Sequence, residues 1–380
     1  MERSRRRRRR LALALLAGLA LGAFALGATV GESPPPLAPR PSVASTLPPP
    51  QLAGERLLVG IAGTAVSPRL RAAIAEGGIA GVVLFADNFP SRAAGRRLIA
   101  SLQRIRRPRP LRDPLLVMVD QEGGEVKRVS GPPSASAARM GRAGPAFSRT
   151  QGARTAANLR QLGVNVDLAP VLDVARPGGV IATTDRGFGT SAAEVAATAV
   201  PFAEGLQAGG IAATGKHFPG LGAATENTDF AVQRIELSKQ RLRRVDEAPF
   251  RAFVAAGGKL VMLSTAIYPT LSPLPAAFSR PIATGELRRR LGFGGVSVSD
   301  ALETVAVRSF GGPAAAAVAA ARAGTDLLLF TDLAGAEAAA DALVARLRGG
   351  QLRRGPFEAS AQRVLDLRAG LPTPGRRPPG

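Results

Sequence analysis

A regular alternation of short apolar runs with longer segments rich in Ala, Leu and Arg is the feature that most restricts the fold of this 380-residue chain. Runs of this length are typical of buried strands, and the segments between them have helical length. Eight strands are predicted, at residues 57–62, 81–86, 115–120, 165–169, 212–216, 260–264, 296–300 and 326–330. Strands buried on both faces that alternate with helices favour an α/β fold, a (β/α)8 TIM barrel that forms a single domain. A doubly wound open sheet is the alternative.

The barrel is predicted to span residues 52–370, because the alternation begins and ends there. The helices between and after the strands are predicted at residues 68–76, 92–106, 149–162, 192–208, 239–256, 284–291, 313–323, 336–348 and 357–368. Residues 371–380 are expected to form a disordered tail, as chain ends without apolar residues to bury commonly do.

The first 51 residues differ in composition from the rest of the chain. A run of arginines, Arg5 to Arg10, precedes an uncharged stretch of mainly Leu, Ala and Gly from Leu11 to Val30. This order predicts that residues 1–30 form a signal peptide, or an uncleaved membrane anchor, since about 20 apolar residues can span a bilayer. The proline-rich residues 31–51 are predicted to form an extended linker. The barrel is then expected to be extracellular or on the cell surface.

Charge and composition restrict the partners and the chemistry. The formal net charge is +22, but seven arginines lie in the first ten residues. The chain shows neither a helix-turn-helix nor a finger pattern, so nucleic-acid binding is not predicted, while attraction to anionic cell-wall polymers stays open. With no cysteine and one histidine, a protein-bound transition metal is not expected, and no cofactor is predicted.

Several predicted strands end in polar residues. Strand three ends at Asp120, strand five runs into Lys216 and His217, and strand seven ends at Asp300. The active face of a (β/α)8 barrel lies at the carboxyl ends of its strands. Any one of these residues could be a helix cap or a solvated loop residue. Together on one rim, they predict a site.

Five segments occur in an order that resembles a known family. They are VDQEGGEVKR at 119–128, NVDLAPVLDV at 165–174, DRGFG at 185–189, KHFPGLG at 216–222 and LGFGGVSVSDAL at 291–302. They are similar to the successive motifs of glycoside hydrolase family 3, in its single-domain β-N-acetylhexosaminidase (NagZ-like) branch. The resemblance implies a (β/α)8 barrel and retaining hydrolysis of terminal β-linked N-acetylglucosamine, often from cell-wall fragments.

The resemblance also implies roles for matching positions. Asp300 matches the family's nucleophile, a carboxylate that traps the sugar as a covalent glycosyl-enzyme. Neighbouring Arg and Lys side chains are expected to keep the pKa of Asp300 low. The positions that hold the sugar's hydroxyl groups are matched by Asp120, Arg128, Arg186, Lys216 and His217. A helix cap at Asp300 and a buried structural His217 are the alternatives.

The general acid is the point at which this chain departs from the family. The family's KHFPGHG run is followed by Asp-Ser-His, whose Asp–His pair is the acid/base. Here Leu221 replaces the second histidine, and residues 227–229 read Asn-Thr-Asp. Asp229 is the leading candidate for the acid, and Glu226 on the same loop is the second. If the loop is only a solvated connection, neither residue acts.

These inferences predict an exported retaining exo-glycosidase that hydrolyses terminal β-linked N-acetylhexosamine, with carbohydrate as its partner and substrate. The missing histidine leaves open a weak or inactive barrel that binds glycan. A β-glucosidase of the same family is a further alternative.

Overall fold

The computed structural model describes residues 42–372. The predicted signal or anchor at residues 1–30 lies outside this range, as does all but the start of the predicted tail at 371–380. Within residues 42–372, no helix is long and apolar enough to cross a membrane.

Eight parallel strands form the barrel. They are β1 Leu57–Gly60, β2 Gly81–Leu84, β3 Leu116–Val119, β4 Val166–Asp167, β5 Ala212–Phe218, β6 Leu260–Leu263, β7 Val296–Ser299 and β8 Leu328–Phe330. Their hydrogen-bonded order is β7-β6-β5-β4-β3-β2-β1-β8. A parallel bridge between Val298 and Leu327 brings the two ends of this sheet together. The predicted (β/α)8 barrel is therefore confirmed, and the open sheet was wrong.

Helices surround the strands. The α-helices are Val43–Thr46, Pro49–Gly54, Pro68–Glu76, Arg92–Gln103, Ala137–Ala143, Pro145–Arg160, Val180–Thr183, Ala192–Ala208, Lys239–Arg241, Ala248–Ala255, Val305–Arg308, Gly312–Ala323, Leu333–Arg348 and Arg354–Ala369. Short 3₁₀ turns cover Ala86–Asn88, Arg109–Leu111 and Ala276–Phe278, and π-helical segments cover Leu242–Asp246 and Pro281–Arg290.

The helix predicted at 239–256 is interrupted. A π-helical segment, Leu242–Asp246, separates two α-helices, and Glu247 donates its backbone N–H to the carbonyl of Leu242. Pro249 then lies in the first turn of Ala248–Ala255, where a residue without an N–H is tolerated.

The predicted linker at 31–51 is wrong for its described part, residues 42–51. Ser42 caps the helix Val43–Thr46 by accepting from the N–H of Ser45, and Pro49 begins the next helix. Proline in the first turn of a helix loses no hydrogen bond, so a proline-rich sequence there is compatible with folding. Leu47 is buried, and its carbonyl accepts from Arg354 at 3.0 Å. These residues therefore belong to the folded domain.

The barrel interior is filled by side chains. Leu58, Val83, Met118, Met262 and Val298 are all buried and belong to one cluster contributed by the strands. Residues on the opposite faces of the same strands pack against the helices in a second, larger cluster. The floor beneath the carboxyl ends of the strands is thus a solid core. Two hairpins rise from this end, one formed by Gln121–Gly123 and Val126–Lys127 and one by Ile267–Tyr268 and Ser272–Pro275.

Candidate active site

A cavity of about 370 Å³ opens at the carboxyl ends of the barrel strands. It brings together seven of the eight site residues predicted from the sequence: Asp120, Arg128, Arg186, Lys216, His217, Asp229 and Asp300. The eighth, Glu226, is exposed and does not line the cavity. The shared rim expected from the strand ends is therefore present.

Lys216, at the carboxyl end of β5, is the centre of a buried ion network. Its Nζ atom lies 2.6 Å from Asp120 Oδ1 and 2.7 Å from Glu122 Oε1. Arg186 approaches Glu122 from the other side with two parallel bonds, Nε to Oε2 and Nη2 to Oε1, both 2.8 Å long. Paired bonds of this kind fix orientation as well as distance. The charged atoms on this side of the cavity are therefore held in place before any ligand binds.

The charges of this network reinforce one another. Burial alone would raise the pKa of Glu122, but Lys216 and Arg186 hold it well below its usual range. Burial alone would lower the pKa of Lys216, but Asp120 and Glu122 raise it above its usual value. Both groups therefore remain charged across the neutral range. Glu122 was not among the predicted site residues, although it follows Asp120 by two positions in the QEGG motif.

Gln121 positions Arg128 across the mouth of the cavity. The Gln121 side chain accepts from the N–H groups of Arg128 and Val129, at 3.1 and 2.9 Å, and donates to the carbonyl of Pro132 at 2.8 Å. The Gln121 N–H in turn donates to Asp167 at 3.0 Å. Arg128 Nη2 then lies 3.8 Å from Asp120 Oδ2, so it belongs to the same charged wall.

His217 is oriented by a buried carboxylate. Its Nδ1 lies 2.8 Å from Asp173 Oδ2, while Asp173 Oδ1 accepts from the backbone N–H groups of His217 and Leu221, at 3.1 and 2.6 Å. With Nδ1 bound to Asp173, Nε2 is the nitrogen left for a ligand in the cavity. Asp173 lies in the NVDLAPVLDV motif but was not predicted as a site residue. Since Leu221 N–H bonds to Asp173, the position that carries leucine here still supports the loop through its backbone.

Asp300 follows β7 directly and faces the cavity. The backbone N–H of Ala301 donates to its Oδ1 at 2.9 Å. Burial raises the pKa of Asp300, and the negative charge of Asp229 adds to this, while His217 and Lys216 act in the opposite direction. The expectation that neighbouring cations keep this pKa low was therefore wrong. Lys216 is already paired with Asp120 and Glu122, and burial outweighs its effect on Asp300.

The loop from Gly222 to Phe230 presents Asp229 and not Glu226 to the cavity. Asn227 fixes Asp229 at two points, donating from Nδ2 to Asp229 Oδ2 and accepting from the Asp229 N–H, both at 3.0 Å. The Asp229 carbonyl accepts from the N–H of Val305 at 3.3 Å, which joins this loop to the segment after β7. Glu226 is exposed and does not line the cavity, so Asp229 is the candidate acid that the structure places beside Asp300.

The outer rim contains polar residues that no sequence motif indicated. Glu303, Thr304, Arg308 and Thr331 line the cavity beyond Asp300. The Glu303 carboxylate accepts from both the N–H and the hydroxyl of Thr331. Burial raises the pKa of Glu303. Within residues 42–372, no group of three or more His, Asp or Glu side chains is arranged to hold a metal ion.

The cavity combines two sets of groups. Paired charges of both signs suit a neutral ligand rich in hydroxyl groups. Two carboxyl groups, Asp229 and Asp300, line the same cavity, and the negative charge of Asp229 contributes to the raised pKa of Asp300. This combination can bind a sugar and perform acid–base and nucleophilic chemistry on it.

Comparisons with known proteins agree with this geometry. The model of the glycosyl hydrolase family 3 N-terminal domain matches residues 53–367. An uncharacterized secreted glycosyl hydrolase of Arthroderma benhamiae is 36% identical over 329 residues, covering 84% of this chain and 93% of that protein. A beta-hexosaminidase of Xylella fastidiosa strain M23 is 39% identical over 285 residues, covering 72% of this chain and 82% of that protein.

Among solved structures, a glycoside hydrolase family 3 beta-N-acetylglucosaminidase from Paenibacillus sp. superposes with a TM-score of 0.80 at 34% sequence identity. The match covers 85% of this chain and 63% of the Paenibacillus chain, so the latter is the longer protein.

Proposed function

Because the chain belongs to glycoside hydrolase family 3 and is a glycoside hydrolase, we propose that it is a retaining exo-glycosidase that releases terminal β-linked N-acetylhexosamine. N-acetylglucosamine is the proposed sugar, since the Xylella relative is named a beta-hexosaminidase and the Paenibacillus enzyme a beta-N-acetylglucosaminidase. The observation that carries the proposal is that Asp300 and Asp229 share one cavity with a wall of paired charges.

In the first step, the ionised carboxylate of Asp300 attacks the anomeric carbon. The bond from that carbon to the glycosidic oxygen breaks, and Asp229, in its protonated form, gives its proton to the leaving oxygen. The products are a sugar esterified to Asp300 and a free alcohol. The bond from the Ala301 N–H holds Asp300 in one orientation for this attack.

In the second step, water attacks the same carbon from the side that the alcohol left. Asp229, now ionised, takes a proton from the water, and the bond between the sugar and Asp300 breaks. Free sugar leaves, and both carboxyl groups return to their initial states. A single group therefore serves as acid and then as base, which requires that Asp229 face the leaving oxygen in both steps.

The sugar is proposed to be held by the paired charges of the same cavity. Asp120 accepts hydrogen bonds from hydroxyl groups, and His217 Nε2 accepts in the same way, because the Nδ1–H of the neutral ring is donated to Asp173. Lys216, Arg186 and Arg128 donate to the sugar's oxygens. Since Glu122 and Asp173 already fix Lys216, Arg186 and His217, little side-chain entropy is lost on binding.

We also propose that the protein is exported, on the basis of the arginine run and apolar stretch at residues 1–30 and of the relative named as secreted. Cell-wall fragments are then the proposed source of substrate, and the basic surface would favour anionic wall polymers. Sequencing the N-terminus of the protein recovered from outside the producing cells tests this proposal. Recovery only from the cytoplasm would contradict it.

The decisive experiment compares aryl β-N-acetylglucosaminide and aryl β-glucoside as substrates of the purified protein. Hydrolysis of the first in strong preference to the second, together with mass-spectrometric detection of a sugar on Asp300 after reaction with a slow fluorinated N-acetylglucosaminyl fluoride, is the expected result. Preference for the glucoside would identify a β-glucosidase. Binding of glycan without any turnover would identify the inactive binding barrel.

A further inference from the structure

Gln233 follows the acid loop, which is the loop from Gly222 to Phe230 that carries Asp229, and the proposed reaction does not use it. It does not line the cavity. Its side-chain Oε1 accepts from the backbone N–H groups of Thr225 and Glu226, at 3.2 and 3.4 Å. One side chain thus holds two consecutive N–H groups of the acid loop.

Gln233 is itself fixed to the barrel. Its backbone carbonyl accepts from the N–H of Ile267 at 2.9 Å, and the Ile267 carbonyl accepts from the N–H of Ile235 at 2.8 Å. Both isoleucines are buried. Ile267 belongs to the hairpin formed by Ile267–Tyr268 and Ser272–Pro275, which rises from the carboxyl ends of the strands. The Gln233 side chain therefore reaches the acid loop from a fixed point.

The exposed stretch of the acid loop depends on this contact. Thr225 and Glu226 are both exposed, and their N–H groups donate to no backbone carbonyl of residues 42–372. The residue before them, Ala224, is secured differently, because its carbonyl accepts from the N–H of Val180 at 2.8 Å. An exposed stretch with few backbone hydrogen bonds opens easily. The bonds to Gln233 therefore hold the part of the loop that would otherwise be the least restrained.

Asn227 transmits the position of this stretch to the acid. It follows Glu226 directly in the chain, and its side chain bonds to Asp229 at two points, both at 3.0 Å. Its carbonyl accepts from the N–H groups of Phe230 and Ala231, at 3.0 and 3.1 Å. Because these bonds make residues 227–231 one compact turn, a displacement of the two residues before it would displace Asp229 as well.

From these contacts we propose that Gln233 is a positioning residue for the acid: by holding the N–H groups of Thr225 and Glu226, it keeps Asp229 within reach of the glycosidic oxygen. This inference rests on the proposed function, since Gln233 acts through Asp229 in the same reaction. Proton transfer requires hydrogen-bond distance, and a misplacement of about 1 Å can lower a rate by about 10²-fold. A Gln233 that only stabilised the fold would affect all substrates alike.

The experiment uses a series of aryl β-N-acetylglucosaminides whose leaving phenols differ in pKa. Q233L keeps the approximate size of the side chain and removes the acceptor oxygen. We expect kcat/KM to fall by roughly tenfold on the poorest leaving group, which needs a proton, and by less than about twofold on the best one. Q233E supplies an acceptor oxygen again and should recover most of this loss.

Two further comparisons separate positioning from a structural role. Q207L is the matched control, because Gln207 Oε1 accepts from the backbone N–H of Lys259 at 3.1 Å, just before β6 and outside the cavity. It should leave the dependence on leaving-group pKa unchanged. Adding Q233L to D229A should lower no rate further, because a residue that acts only through Asp229 has no effect once that carboxyl group is absent.

Hydrogen exchange followed by mass spectrometry reports the loop directly. In Q233L the amides of Thr225 and Glu226 should exchange roughly fivefold faster, the effect of one lost neutral hydrogen bond, while peptides from β5 and β6 should not change. Unchanged exchange at these two amides, an equal loss of rate on all aryl glycosides in Q233L, or a further loss when Q233L is added to D229A would overturn the inference.

The same measurements distinguish this inference from the proposed function. If the unaltered protein hydrolyses no glycoside, the proposed function and the inference fail together. If D229A shows the dependence on the leaving group and Q233L does not, only the role of Gln233 fails.

Discussion

The two ends of the barrel each carry a network of buried charges, and the networks differ in what they leave unpaired. At the amino ends of the strands, Asp326 accepts from Arg288 and Arg363 and from the backbone N–H of Ser297. Nearby, Glu55 pairs with Arg107 and Arg368. Each of these two carboxylates is held by two arginines.

At the carboxyl ends, the pairing is incomplete. Lys216, Glu122 and Arg186 satisfy one another, but Asp300 faces the cavity with only the Ala301 N–H as a donor, and Arg308 has no carboxylate partner among the described residues. We call the first the closed network, because each of its two carboxylates is paired with two arginines, and the second the open network, because Asp300 and Arg308 are left without a charged partner. We infer that the closed network stabilises the fold and that the open network keeps charge available for a substrate. In (β/α)8 barrels the amino-terminal face generally serves stability, and the carboxyl-terminal face holds the active site.

Asp300→Asn should produce the largest effect at the open end. We expect kcat/KM for an aryl β-N-acetylglucosaminide to fall by on the order of 10⁴-fold, because the amide cannot form the covalent intermediate. Folding should be unharmed or improved. Burial raises the pKa of Asp300, so the folded state loses stability as the pH rises from the unfolded pKa to the folded one, and the neutral amide avoids this loss.

The measurements are initial rates and thermal unfolding at neutral pH. Near-full activity in Asp300→Asn would show that Asp300 is not the nucleophile of the proposed reaction. A large loss of stability would show that Asp300 belongs to a closed network after all, and the contrast between the two ends would disappear.

Asp326→Asn should give the opposite result at the closed end. Removing one partner of a buried ion network costs about 3–5 kcal/mol of unfolding free energy, while kcat/KM at a temperature where the variant is folded should stay within about twofold. Although burial would raise the pKa of Asp326, Arg288 and Arg363 lower it. Its stabilisation is therefore present above the unfolded pKa and is lost as the pH falls through the folded one.

Denaturant unfolding at several pH values tests this prediction, with Asp341→Asn as the control. Asp341 is exposed on the helix Leu333–Arg348, so its loss should change stability by less than about 0.5 kcal/mol. A drop in kcat/KM without a drop in stability in Asp326→Asn would contradict the inference that the closed network stabilises the fold.

The contrast also explains which parts of the molecule could be predicted from the sequence. The barrel was predictable because every strand is a short apolar run and the pattern repeats eight times. Asp120, Lys216 and Asp300 were predictable because they end those runs inside recognisable motifs. The closed network was not predictable, because Glu55 and Arg368 are 313 positions apart in the sequence and only the folded barrel brings them together.

Other misses have equally physical causes. The helices at 43–46 and 49–54 were missed because prolines that begin a helix look like those of an extended linker. The roles of Glu122 and Asp173 depend on which neighbour they contact, which spacing alone does not reveal. Arg308 lies beyond the last motif of strand seven in a chain rich in arginine, and nothing in its sequence surroundings marks it.

Asp229→Ala tests whether Asp229 is the acid of the proposed reaction. We expect kcat/KM to fall by about 10²-fold on substrates with poor leaving groups, which need a proton, and much less on aryl glycosides with good ones. Glu226→Ala is the matched control, since Glu226 lies on the same loop but faces solvent, and it should change neither rate. The same leaving-group dependence in the Glu226 variant instead would assign the acid to Glu226.

The smallest expected effect is a shift in the pH profile that measures the coupling between the two carboxyl groups of the open end. The negative charge of Asp229 contributes to the raised pKa of Asp300, after burial. Asp229→Asn removes that charge and keeps the side-chain shape, so the ionised form of Asp300 becomes easier to reach. The acidic limb of kcat/KM against pH, measured on an aryl glycoside whose leaving group needs no proton, should therefore move to lower pH. Asp341→Asn removes one negative charge outside the cavity and should leave this limb in place. If the acidic limb does not move in Asp229→Asn, the charge of Asp229 does not affect the ionisation of Asp300. Asp229 would then lie too far from Asp300 to act in the same reaction.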